Sequence, residues 1–88
     1  MDNTDKLERL LELASHLELD IRRENLAGRG GGACRIQGKW VLFVDTSEDV
    51  AEQIAQVASS LARWEDQFES QYILPEIRQL LDLYAGEE

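Results

Sequence analysis

Gly28-Arg29-Gly30-Gly31-Gly32-Ala33-Cys34 gathers four of the six glycines of an 88-residue chain into seven positions, with Arg22, Arg23 and Arg35 close by. Residues of these types in this pattern suggest three chemistries. Gly28 to Ala33 matches the dinucleotide fingerprint G-x-G-x-x-G/A letter for letter, but that fingerprint works by turning the chain into a helix whose first amides receive a pyrophosphate. Cys34-Arg35-Ile36-Gln37 alternates as a strand does, and the chain lacks the repeated βαβ units of a nucleotide domain. The Gly-Lys-Ser/Thr ending of a phosphate-binding P-loop is also missing. A second chemistry is a nest of consecutive amides that receives a small anion, with charge from arginine: Arg29, Gly30, Gly31, Gly32 and Arg35 form this candidate site. The third reading, which the pattern favours, is a wide strand connection whose glycines adopt positive φ.

Cys34 has cationic neighbours of the kind that lower a thiol pKa, which makes it a candidate nucleophile. Catalysis also needs a base. The single imidazole, His16, has no sequence relation to Cys34, so a buried structural cysteine on an apolar strand face is the expectation. One cysteine and one histidine cannot close a structural zinc site or an internal disulfide. No catalytic set, metal or cofactor is therefore expected, and the chain reads as a non-enzyme.

The net charge of −9 is unevenly distributed. From Arg22 to Lys39 five basic residues face one acid, Glu24, for +4, which leaves −13 on the rest. The overall field opposes nucleic acid, whose affinity rests on phosphate contacts, while a small anion remains compatible with the basic island. No signal-like segment opens the sequence, and the longest apolar run, Trp40 to Val44, is too short to cross a bilayer, so a cytoplasmic protein without a membrane partner is expected.

The elements that must position the loop follow from periodicity. Thr4 is placed to cap a helix over about 4–14, with Leu7, Leu10, Leu11 and Ala14 on one face and His16 at its finish. Leu17, Leu19 and Ile21 then alternate with polar residues, predicting a strand. After the glycines, Cys34-Arg35-Ile36 and Trp40-Val41-Leu42-Phe43-Val44 flank Gln37-Gly38-Lys39 as a β-hairpin. Its second strand is apolar on both faces and should be the most enclosed. Cys34 and Ile36 are expected to face the core and Arg35 the other side. Thr46 and Ser47 are candidate caps for a helix over about 47–64 that buries Val50, Ile54, Val57, Leu61 and Trp64 beside a stripe of Ala51, Ala55, Ala58 and Ala62. Phe68 and Tyr72 are expected to pin the next connection, Pro75 to open a last helix with Ile77, Leu80, Leu81 and Tyr84 inward, and Gly86 to stop it.

In layout, the run from Leu17 to Leu61 resembles the front half of ImmA/IrrE-type minimal metallopeptidases: strand, glycine-containing connection, the hairpin "ACRIQGKWVLFVD", then a capped helix. That family's helix carries H-E-x-x-H for zinc and its base. Here the corresponding segment is "IAQVASSLA", so the resemblance implies at most a degenerate metallopeptidase-like domain without catalytic zinc. The segment "RRENLAGRGGGACRIQGKWVLFVD" also resembles a small bacterial protein family with R-x-E-x-L, a glycine run and a cysteine hairpin. That likeness implies a bacterial origin and carries no assigned activity.

Together these readings predict one α+β domain over residues 1–88: a helix, a three-stranded mainly antiparallel sheet with a β-hairpin, then two helices (αβββαα). The expected function is a non-enzymatic interaction or regulatory module that self-associates as a homodimer or binds a protein partner, because small domains gain burial by association. The alternative is a small-anion or nucleotide sensor built on the Gly28–Ala33 loop.

Overall fold

The computed structural model describes residues 1–68 and 73–85. The first helix, α1, spans Asn3–His16; strands β1, β2 and β3 span Asp20–Glu24, Gly32–Ile36 and Lys39–Asp45; α2 spans Val50–Leu61, a 3-10 segment Ala62–Phe68, and α3 Pro75–Ala85. The element order and the α+β class are those expected. The sheet is mixed rather than mainly antiparallel. Its order is β1-β3-β2, with β1 parallel to β3 and β2 antiparallel to it. β3 therefore lies in the centre, as its two apolar faces required.

Three boundaries differ from the sequence reading for local reasons. Asp2, not Thr4, caps α1, its carboxylate accepting the Asp5 amide at 2.9 Å. The strand predicted from Leu17 begins only at Asp20, because α1 closes in a Schellman motif. The Leu19 amide donates to the Ala14 carbonyl and the Glu18 amide to that of Ser15, with Glu18 in the left-handed position that glycine usually holds (φ 63°). Leu19 is nevertheless buried in the core. At α2, Asp49 caps by accepting the Glu52 amide at 2.8 Å, and Thr46 and Ser47 fall in the preceding turn.

The core joins Leu7, Leu10, Leu11 and Ala14 of α1, Leu42 and Val44 of β3, Ile54, Val57, Ala58 and Leu61 of α2, and Ile77 and Leu81 of α3. The stripe predicted for α2 is the buried one, flanked by half-buried Val50 and Trp64. Of the alanine row only Ala58 is fully enclosed, and Ala51 is exposed. Trp40 meets Trp64 edge to face at 5.2 Å, and the Arg63 guanidinium lies 5.7 Å from both rings. The roles expected of the Phe68 and Tyr72 side chains and of Gly86 fall outside what is described. Among the described residues, no helix is long and apolar enough to cross a membrane.

The assignment of β2's faces requires correction. Cys34 pairs with Val41 and Ile36 with Lys39, whereas Arg35 pairs with Trp40 and Ala33 with Leu42. Leu42 and Trp40 belong to the helix-covered face, so Arg35 is on that side, and Cys34 and Ile36 lie on the face the helices leave. Cys34 is exposed rather than buried, and Ile36 is 43% exposed. The alternation is the one the sequence implies but its two faces are exchanged, a one-residue ambiguity inherent in a period of two.

Candidate functional site

A strand that leaves β1 and enters β2 must pass the end of β3, which stands between them. Residues 25–31 make that crossing, and the glycines belong to it. Gly28 and Gly30 both have φ of 79°, the left-handed region that a side chain disfavours. Gly31 has a different reason. A β-carbon there would overlap the Phe43 carbonyl oxygen and come within 2.9 Å of Gln56 Oε1, so the loop backbone lies directly on β3 and α2.

The loop does cradle an anion, and the anion is the protein's own. Asp45, the last residue of β3, is fully buried. Its Oδ1 accepts the amides of Leu26 and Ser47 at 3.0 Å each and the Ser47 hydroxyl at 2.6 Å; its Oδ2 accepts the Gly30 amide at 3.2 Å. Ser47 Oγ in turn accepts the Gly28 amide at 2.9 Å. The Asp45 amide donates to Gln56 Oε1 at 3.4 Å, and the Thr46 amide to the Glu24 carbonyl at 2.9 Å. One carboxylate thus joins the crossing loop, the end of the central strand and the turn into α2.

The charge on Asp45 is favoured by these donors. The Ser47 hydroxyl lowers its pKa most; burial pushes the other way, and the amides of Leu26, Ser47 and Gly30 add to the lowering, so the group titrates at about 2 instead of 3.8. An ionised carboxylate can be buried here because every donor aimed at it is a neutral dipole fixed by the fold.

Of the candidate anion-site residues, Gly30 gives its amide to Asp45, Gly31 is pressed against β3, and Gly32 begins β2 opposite Phe43. Arg29 is an exposed loop residue whose amide closes a turn on the Leu26 carbonyl at 3.2 Å. Arg35 projects on the helix side of β2, away from the face that Cys34 and Phe43 share. A shallow cavity of about 350 Å³ lies beside the loop, lined by Leu26, Gly30–Cys34 and Phe43, with neither arginine in its wall. Cys34 stands at its rim and His16 lines a separate cavity of about 260 Å³ between α1 and α3, so the two do not form a pair. Among the described residues, no group of three acidic, histidine or cysteine side chains is placed to hold a metal.

Sequence reasoning missed Asp45. The available signal was its position: an acid ending an apolar strand and followed by Thr-Ser, which suits a carboxylate that accepts amides from its own turn. Comparison of the chain with protein-family models, curated proteins and solved structures gave no match.

Proposed function

We propose that this chain is a non-enzymatic interaction or regulatory module that self-associates through its sheet layer. The observation that carries this reading is the helix-averted face of the sheet. Val41 and Phe43 stand outside the helix-packed cluster, Val41 already buried and Phe43 half-buried, and beside them Cys34 and Ile36 are the exposed apolar side chains. An apolar face left by a small domain gains burial when it meets a partner.

Two copies at −9 repel at long range, but residues 32–39, which form β2 and the hairpin turn, carry Arg35 and Lys39 and no acid, so the β2 edge lacks the acidic charge that dominates the rest of the chain. The competing reading, a small-anion or nucleotide sensor, requires the incoming anion to displace Asp45 from the Gly30 amide or to do without it.

Size-exclusion chromatography with light scattering over a range of protein concentrations tests the proposal. A mass rising from that of the 10.0 kDa chain toward twice that value is expected. A strict monomer at the highest concentration would contradict it.

A further inference from the structure

The sheet order leaves two outer edges, and they differ. At β1, four of five residues are charged, with Arg22 3.2 Å from Asp20 and Arg23 3.3 Å from Glu8. Charges of this density are how natural edges are kept from pairing. At β2 the sequence is Gly-Ala-Cys-Arg-Ile, with one charge in five.

The hairpin fixes which backbone groups this edge offers. Gln37 and Gly38 have φ of 50° and 81°, both positive, as in a two-residue type I′ turn. The closing pair, Ile36 with Lys39, then exchanges both hydrogen bonds, as do the alternate pairs Cys34–Val41 and Gly32–Phe43. Ala33 and Arg35 therefore turn their N–H and C=O groups outward.

We propose that a second copy of this chain pairs antiparallel along β2, about a two-fold axis at Cys34, to make one six-stranded sheet. This geometry rests on the self-association reading and places its contacts along the β2 edge, at Cys34 and Ile36, without covering Val41 or Phe43. Symmetry restricts the register to a few choices. Centring on Arg35 sets two like charges directly opposite, which is unfavourable. Centring on Ala33 runs the strand ends into the crossing loop and leaves three residues of each strand paired. Centring on Cys34 pairs all five: Ala33 meets the partner's Arg35 through the outward groups of both, and Ile36 lies opposite the partner's Gly32. With no side chain at Gly32, Ile36 can reach toward the partner's Phe43, so the apolar faces of the two sheets become continuous.

Cys34 then reports on the geometry. Opposed residues in a pair without mutual hydrogen bonds have Cα atoms about 4.5 Å apart, within the roughly 4.4–6.8 Å that a disulfide spans. Diamide would join the two thiols, the sulfurs giving two electrons and two protons to the diazene, which becomes the hydrazine. The experiment treats the reduced protein with diamide at concentrations where light scattering reports a dimer, beside Arg35→Pro. Proline at position 35 removes only an outward amide, which an edge strand tolerates. A Cys34-linked dimer is expected in the parent. In Arg35→Pro, the dimer dissociation constant should rise about tenfold or more, since each edge contact is lost twice by symmetry. If Arg35→Pro loses its native circular dichroism, cross-linking of the parent alone decides. A dimer whose Cys34 thiols stay reduced, or one that persists in folded Arg35→Pro, overturns the edge geometry and leaves self-association standing; a monomer at every concentration overturns both.

Discussion

The Gly30 amide donates to the Asp45 carboxylate at 3.2 Å, so the middle of the glycine run is held by an acid fifteen residues away at the end of the central strand. The glycine loop is shaped by this contact and by the need to cross β3. Removing the acceptor leaves amides of Leu26, Gly30 and Ser47 without their partner in a part-buried setting, where an unsatisfied donor is costly. Asp45→Ala should lower the urea midpoint more than Arg29→Ala, an exposed loop substitution; equal midpoints would mean that the clamp does not hold the loop.

The same carboxylate makes stability depend on acid. Its folded pKa, about 2, lies below the ordinary 3.8, so its contribution is complete above about pH 4 and is lost as pH falls through about 2. Urea midpoints of the parent and Asp45→Asn should converge across that interval, the variant having no charge to lose. A constant difference between them would show that Asp45 is not the titrating group.

Gly31→Ala probes the close approach of the loop to β3. Its β-carbon would overlap a backbone oxygen, which cannot move aside as a flexible side chain can. A loss of about 1–3 kcal/mol is expected, the range of overpacking strain, and denaturant unfolding measures it.

Glu18 holds the left-handed position after α1 with φ of 63°. Glycine there relieves a backbone cost of roughly 1–2 kcal/mol, offset in part by added freedom of the unfolded chain. Glu18→Gly should therefore raise the thermal midpoint. An unchanged or lower midpoint would show that the Schellman closure carries no strain.

The core assignment separates two kinds of position. Ile54→Ala and Leu61→Ala, both in the stripe of α2, should each cost about 2–5 kcal/mol. Arg35→Ala, at an exposed edge position and measured on the monomer, should stay within about 0.5 kcal/mol.

The sequence made the helical stripes, the hairpin and the central place of β3 legible, because each depends on local periodicity: Ile54-Val57-Leu61 repeats once per turn, and Trp40 to Val44 has no polar face. What it left open depends on contacts across distance. Nothing local tells which face of β2 the helices take, and Cys34 and Arg35 lie on the sides opposite to those their neighbours suggest. Nor did adjacency reveal that Ser47 serves Asp45 instead of capping α2. The candidate anion site was legible only as composition: the amides do receive an anion, but its source lies in the next strand.

Residue-resolved amide hydrogen exchange at low and high protein concentration probes the proposed sheet-mediated pairing at the atoms involved. The outward amides of Ala33 and Arg35 should exchange quickly in dilute protein and gain protection as concentration rises, while the outer edge of β1 does not change. Exchange independent of concentration at both amides, in protein that light scattering finds monomeric throughout, would contradict self-association through the sheet.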